Sequence, residues 1–125
     1  MKSLKSYIRD VPNFPKEGVH FKDITTLLQS PEGVAQCLEL LLSQLKTMKV
    51  DKVVAVEARG FFFGMLLAKA LKVPFVPVRK PGKLPRKVVV QSYDLEYGSD
   101  KLEMHEDSIQ KGDKVLIHDD VLATL

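Results

Sequence analysis

The sequence predicts an α/β fold built on a mainly parallel sheet. Three short apolar runs are typical of strands that are buried on both faces: Lys52–Glu57, Phe75–Val78 and Lys114–His118. A helical pattern over Gly60–Leu71 lies between the first two runs, which is the order of a parallel strand, helix, strand unit. With 125 residues the chain is long enough to bury one core, so residues 1–125 are expected to form a single domain.

Two helices are predicted before the first strand. Residues 2–10 carry apolar side chains at helical spacing, and this short helix should end before Pro12. Ser30 is a typical N-cap, with Pro31 at the first helical position. Apolar residues then recur at steps of three and four, which extends the second helix to about Lys49.

A long connection separates the second strand from the third. Residues 80–101 form this excursion, with a candidate strand at Lys87–Ser92. The turn-forming run Lys111–Asp113 then precedes the last apolar strand.

Composition excludes several classes of protein. Lys and Arg total 19 against 16 Asp and Glu, a net charge of +3, so nucleic-acid binding is not expected from charge alone. Its first ten residues contain no apolar run like that of a signal peptide, and no apolar run in the sequence is long enough to span a membrane. Cys37, its only cysteine, lies on the apolar face of a helix and is expected to be a buried structural thiol. These features predict a cytoplasmic location.

Polar segments follow the three predicted strands, where ligands bind in open parallel sheets. They are Glu57–Gly60, the basic run Arg79–Lys83, and the pair Asp119 and Asp120. Two cationic ends and one acidic end suit a polyanion that also carries hydroxyls or a divalent metal. A phosphorylated sugar meets that description.

Five collinear segments closely resemble the adenine phosphoribosyltransferases, the adenine branch of the type I phosphoribosyltransferases. The segments lie within Phe14–Thr25, Ala58–Phe61, Arg79–Pro85, Ser92–Gly98 and Val115–Thr124. The resemblance implies a homodimeric purine-salvage enzyme with the type I parallel sheet and flanking helices. It would convert adenine and 5-phosphoribosyl pyrophosphate to AMP and pyrophosphate with Mg²⁺.

The resemblance also implies roles for the polar segments. Arg59 and the backbone at Ala58 would hold the pyrophosphate, and a cis peptide bond is expected at Glu57–Ala58. Positive charge would come from three further residues, which can act across a dimer interface: Arg79, Lys80 and Lys83. Asp119 and Asp120 would bind the ribose hydroxyls, with Mg²⁺ held mainly by the substrate near them and no metal site of the protein's own.

The resemblance also implies roles for the residues that would bind adenine and for the mobile loop. Phe21 would stack on adenine, and Lys22 stands where the family usually has Arg, so that contact should be weaker. Residues 80–101 would be the flexible catalytic loop, in which Glu96 transfers a proton to or from the purine and Tyr97 contacts substrate.

The 5′-phosphate loop is the point of departure from the family. Ala123 and Thr124 match its start, but the family continues into Gly-Gly-Thr and a helix, whereas here Leu125 follows. We therefore expect a truncated domain whose C-terminal part is missing and which lacks useful transferase activity.

Other interpretations remain open at this point. One is a non-catalytic remnant that dimerises or binds purine nucleotide, and another is a nucleic-acid binder built on the basic cluster, which lacks interleaved aromatics. Phe21 would also suit a core position, and Glu96 a solvated one. His118 is interpreted as a structural residue, because adjacent side chains on a strand point to opposite faces.

Overall fold

The computed structural model describes residues 3–95 and 98–120 of the chain. They form two compact units, Met1–Thr47 and Met48–Leu125. The assignment of residues 1–125 to one domain stays a prediction.

The first unit combines a small antiparallel ribbon with helices. A 3₁₀ helix at Leu4–Tyr7 leads into strand β1, Arg9–Val11, which pairs with β2, Phe21–Asp23. The short helix α1, Thr25–Leu28, follows directly. The predicted helix over residues 2–10 is therefore wrong in its second half, because long-range strand pairing overrides the local apolar spacing.

Helix α2, Pro31–Gln44, begins as predicted. The Ser30 side chain accepts a hydrogen bond of 3.0 Å from the amide of Gly33, which satisfies one of the unpaired donors of the first turn. The helix ends at Gln44, before the expected Lys49. Met48, which continues the apolar spacing, is 61% exposed, so no burial stabilises a further turn.

The second unit contains the predicted parallel sheet. Strand β4, Phe75–Val78, has the expected bounds, and β3, Lys52–Val56, ends one residue before the expected Glu57. Both share a sheet with the last strand, in the order β4-β3-β7. This last strand, β7, comprises Val115–His118. Val53 and Ala55 of the central strand are fully buried, which explains its continuous apolar character.

Helix α3, Gly60–Leu71, connects β3 to β4 with the predicted bounds. Gly64 faces the sheet, where an added Cβ would lie 2.7 Å from the Cβ of Ala55 and 3.1 Å from the Phe75 ring. Glycine at this position lets the helix approach the sheet more closely than any side chain would permit.

The connection at residues 80–101 contains regular structure. Strands β5, Val88–Leu95, and β6, Gly98–His105, pair antiparallel in a hairpin that extends past the expected loop. The candidate strand at Lys87–Ser92 overlaps β5, which begins one residue later and ends three residues later. The local sequence did not indicate its partner, β6. Among the described residues, no helix is long and apolar enough to cross a membrane.

Candidate active site

The segment after β3 turns sharply into α3. The Glu57–Ala58 peptide bond is cis, as predicted. The amides of Phe61 and Phe62 donate to the carbonyls of Ala58 and Arg59, at 3.1 and 3.3 Å. These two hydrogen bonds tighten the first turn of the helix.

Arg59 and Asp120 bring two of the predicted segments together. The Arg59 Nε lies 3.0 Å from Asp120 Oδ2, and the Asp120 side chain is 10% exposed. Burial raises the pKa of Asp120, and the neighbouring carboxylate of Asp119 raises it further, while the charge of Arg59 opposes both effects. The pair therefore places a cation and a shielded carboxyl side by side at the carboxyl edge of the sheet.

Asp119 lies against the start of α3. A Cβ added to Gly60 would be 3.0 Å from Asp119 Oδ1 and 3.3 Å from the Asp119 Cα. The same Oδ1 accepts a hydrogen bond of 2.8 Å from the amide of Asp120. Gly60 is thus needed for close approach, and it brings the acidic pair to the first turn of the helix.

The basic turn Arg79–Lys83 is anchored by a carboxylate from the other loop. Glu57 Oε1 accepts from Arg79 Nε at 2.9 Å and from the amide of Lys80 at 3.1 Å. Burial alone would raise the pKa of Glu57, but these hydrogen bonds and the charges of Arg79 and Lys83 lower it overall. Two neighbouring loops of one unit therefore carry the cationic residues Arg59, Arg79 and Lys80.

A second carboxylate holds the far end of this turn. The backbones of Arg79 and Glu103 exchange hydrogen bonds of 2.8 and 2.7 Å, and Glu103 Oε1 accepts from the amide of Gly82 at 3.1 Å. Gly82 has φ of 82°, the left-handed conformation that glycine adopts without strain. The hairpin is thereby docked on the basic turn.

Phe21 lies in the first unit beside a small apolar cavity. Its ring packs edge-on against Phe14, with centroids 5.2 Å apart and planes at 72°. The cavity measures about 310 Å³, and its lining comprises Val11, Phe14, Phe21, Asp23 and Thr25. A planar aromatic ligand suits such a lining.

Asp23 is fixed by contacts on both sides. Its Oδ1 accepts from the hydroxyl and amide of Thr25, at 2.7 and 2.9 Å, and its Oδ2 accepts from Arg9 at 2.7 Å. The hydrogen bonds from Thr25 and then Arg9 lower the pKa of Asp23 to about 2. The carboxylate therefore stays ionised and holds one end of the cavity in place.

Lys22 points away from Phe21. Successive side chains of β2 alternate, and the Lys22 ammonium lies 3.2 Å from Asp10 Oδ1, with 62% of its side chain exposed. Lys22 does not line the cavity beside Phe21. Its predicted contact with substrate thus gains no support from its position and stays a prediction.

His118 is the last residue of β7 and directly precedes the acidic pair. Burial lowers the pKa of His118, and the charges of Asp119 and Asp120 oppose that shift only partly. Among the described residues, no group of three His, Cys, Asp or Glu side chains is arranged to hold a metal ion.

Cys37 is half-buried, and burial raises the pKa of its thiol.

Some predicted site residues lie outside the described residues: Glu96, Tyr97, Ala123 and Thr124. Conversely, sequence reasoning gave no role to Glu57, Glu103 or Asp23. A Glu at the end of a buried strand, directly before Ala-Arg-Gly, is the local signal that would have found Glu57. Glu103 had no such signal, because its partner, the basic turn, lies 20 residues away along the chain.

Comparisons with known proteins agree with this arrangement. A family model described as the phosphoribosyl transferase domain matches residues 23–124. The adenine phosphoribosyltransferase of Flavobacterium johnsoniae is 62% identical over 121 residues, which cover 97% of this chain and 71% of that protein. The adenine phosphoribosyltransferase of Yersinia pseudotuberculosis is 54% identical over 99% of this chain and 66% of its own length.

Solved structures of adenine phosphoribosyltransferases are similar to most of this chain. The adenine phosphoribosyltransferase of Thermoanaerobacter pseudethanolicus superposes with a TM-score of 0.87 and 48% identity, over 91% of this chain and 66% of that one. The Saccharomyces cerevisiae enzyme, complexed with an imino-altritol bisphosphate and adenine, gives 0.87 and 40% over 91% and 67%. This chain therefore spans about two thirds of the length of these relatives.

Proposed function

Since this chain belongs to the adenine phosphoribosyltransferase family, we propose that it serves the formation of AMP and pyrophosphate from adenine and 5-phosphoribosyl pyrophosphate. The family consists of pentosyltransferases with the type I fold. The observation that supports the proposal most directly is the Arg59–Asp120 contact of 3.0 Å, beside Asp119 and the start of α3. The contact brings a cation that can bind phosphate and carboxylates that can bind sugar hydroxyls to the same edge of the sheet.

The acidic pair would act on the ribose. Carboxylates accept hydrogen bonds from vicinal hydroxyls, and their charge favours the oxocarbenium-like centre that develops as the bond from C1′ to pyrophosphate breaks. The electron pair of that bond leaves with the pyrophosphate, and N9 of adenine then bonds to C1′. Asp119 and Asp120 are the proposed ribose ligands.

The cationic loops would bind the leaving pyrophosphate. Arg59 and the backbone at Ala58 stand on one side, and the basic turn supplies Arg79, Lys80 and Lys83. Guanidinium groups donate two parallel hydrogen bonds to phosphate, which fixes its orientation as well as its charge. The Glu57 contacts keep this turn beside the loop after β3.

The base would stack on Phe21 in the cavity of the first unit. Glu96 is proposed to accept the proton that the purine loses as N9 bonds to C1′, and Tyr97 to contact the substrate. For the 5′-phosphate, Ala123 and Thr124 are the proposed backbone contacts. The Lys22 ammonium lies 3.2 Å from Asp10 Oδ1, so it must leave Asp10 to make its proposed contact with substrate.

Mg²⁺ is the proposed cofactor. The carboxylates of Asp119 and Asp120 suit this ion chemically, but they can supply only part of its ligands. Oxygen ligands suit Mg²⁺, but Asp120 is already paired with Arg59. Asp119 and Asp120 would therefore lie near an ion held chiefly by the phosphates of the substrate. When bound, the ion supplies charge neutralisation for the leaving pyrophosphate.

A homodimer in the cytoplasm is the proposed biological form. Phe62 and Met65 lie one turn apart on α3, and they are 48% and 51% exposed. An exposed apolar pair of this kind supports contact with a second copy. The single cysteine is consistent with a reducing compartment.

The test is AMP formation from labelled adenine, 5-phosphoribosyl pyrophosphate and Mg²⁺, together with calorimetric binding of AMP and pyrophosphate. We expect adenine to be preferred over hypoxanthine and guanine, and Asp120→Ala to weaken AMP binding. Glu106→Gln is the control, because Glu106 pairs only loosely with exposed Lys87 at 3.7 Å. Equal binding of GMP and AMP, or no binding of either, would contradict the proposal.

A further inference from the structure

Glu57 is a carboxylate in an unexpected place. It directly precedes the loop that is proposed to bind pyrophosphate, and its side chain is 13% exposed. Its backbone amide donates to the carbonyl of Val78 at 2.9 Å, which fixes the residue at the junction of β3 and β4. An ionised group at this point repels a bound anion, so its presence needs a physical reason.

The contacts of Glu57 supply that reason. Its Oε1 accepts from both the Arg79 guanidinium and the amide of Lys80. The ion pair with Arg79 is made through Nε, which does not consume the terminal nitrogens that form a donor fork for phosphate. A long, flexible arginine is thereby held in one orientation before the ligand arrives.

The anchoring is completed from the hairpin. Arg79 is bridged through its backbone to Glu103, and the amide of Gly82 donates to the Glu103 side chain. The turn is therefore fixed at both ends by carboxylates, but only Glu57 contacts a cationic side chain within it. Glu57 is the member of the pair that orients a proposed ligand-binding group.

We infer that Glu57 is a positioning residue, which preorganises Arg79 and Lys80 for the pyrophosphate group. The inference depends on the proposed function and deepens it by naming the residue that sets up the basic turn. Preorganisation raises affinity because the ordering cost of the side chain is met before binding. The stabilised orientation outweighs the repulsion between Glu57 and the anion.

The direction in which Glu57→Gln changes pyrophosphate affinity separates charge repulsion from positioning. Glu57→Gln removes the charge and keeps the shape, so simple electrostatics predicts tighter binding of pyrophosphate. Positioning predicts weaker binding, by about tenfold, because the charge-assisted hydrogen bond to Arg79 is lost. Glu57→Ala should weaken binding further, since the contact to Lys80 is lost as well.

The experiment measures pyrophosphate and adenine binding by calorimetry in the wild-type chain, both Glu57 variants and the control Glu106→Gln. We expect only pyrophosphate affinity to fall, and only in the Glu57 variants. Unchanged or tighter pyrophosphate binding in Glu57→Gln would overturn the inference, as would an equal loss of adenine affinity. Failure of the wild-type chain to bind pyrophosphate would instead overturn the proposed function.

Hydrogen exchange provides a readout that needs no ligand. In Glu57→Ala the amides of Lys80 and Gly82 should exchange faster than in the wild-type chain, while those of Val53–Val56 keep wild-type protection. Wild-type protection of the turn would overturn the inference. Loss of protection throughout β3 would show that Glu57 supports the sheet as a whole, which also overturns it.

Discussion

The guanidinium of Arg59 lies 3.0 Å from the carboxyl of Asp120, and this contact joins the loop after β3 to the end of β7. The two residues are separated by the whole length of α3, β4 and the hairpin in sequence. Their proximity follows from the parallel pairing of β3 with β7, in which Ala55 is opposite His118. Parallel pairing therefore determines which charged groups meet.

Because of Asp120, the free energy of unfolding should fall as the pH rises. Burial raises its pKa above the ordinary 3.8, so between that value and the raised value the folded state binds more protons than the unfolded state. Asp120→Asn removes this dependence, and we expect a higher denaturation midpoint than wild type at pH 7. We also expect about 10- to 100-fold weaker AMP binding, because a charge-assisted contact to ribose is lost.

Urea unfolding at pH 3.5 and pH 7 tests the stability part of this prediction. The advantage of Asp120→Asn should be larger at pH 7 than at pH 3.5, because the raised pKa lowers stability only above about pH 3.8. A variant that is less stable than wild type at pH 7 would show that the pair with Arg59 outweighs the cost of burial.

Asp23 should have the opposite pH dependence. Its pKa is lowered from 3.8 to about 2, so the stability that it contributes is present above pH 4 and is lost as the pH falls towards 2. Asp23→Asn should flatten the unfolding curve over this window. Denaturation at pH 2, 3 and 5 measures the effect, and Asp107→Asn serves as the exposed control. Equal slopes for Asp23→Asn and wild type would reject the assigned contacts with Thr25 and Arg9.

Phe21→Ala should weaken adenine binding. Stacking of a base on an aromatic ring contributes about 1–3 kcal/mol, which corresponds to about 5- to 150-fold in affinity. Leu40→Ala is the matched control in the same unit, because Leu40 is 48% exposed and lies outside the cavity that Phe21 lines. Fluorescence or calorimetric titration with adenine measures both variants, and a similar loss in each would exclude a specific stacking role.

Gly64→Ala should destabilise the second unit. The new methyl would lie 2.7 Å from the Ala55 Cβ, and overpacking of this kind costs about 1–3 kcal/mol. The gain in helix propensity, about 1 kcal/mol, offsets only part of this. Lys69→Ala, at an exposed position of the same helix, should change stability by about 0.5 kcal/mol or less. Thermal unfolding of the two variants decides between clash and propensity.

Sequence patterns identified the elements of the second unit because each pattern is local. Uninterrupted apolar residues marked β3, β4 and β7, and the helical spacing of α3 gave its bounds. The start of α2 was equally clear from Ser30 and Pro31. Its end was not, because helix length past Gln44 depends on what covers Met48, and that is a property of tertiary packing.

The site was predictable where it depended on residue type next to a strand end. Arg59, Arg79 and Asp120 were named from such positions, and the family resemblance added Phe21. The partners were not predictable, because a carboxylate such as Glu103 acquires its role only when the hairpin reaches Arg79. Similarly, strand alternation directs Lys22 towards Asp10, and only the observed pairing of β1 with β2 reveals it.

The two glycines of α3 that face the sheet have a mechanical consequence. Gly60 leaves no room between the helix start and Asp119, and Gly64 leaves none between the next turn and Ala55. The helix, the central strand and the acidic pair therefore move as one stiff body. Any conformational change that accompanies binding in this unit has to be taken up by side-chain rotation and by the connections around Arg79, where hydrogen bonds rather than close packing hold the chain.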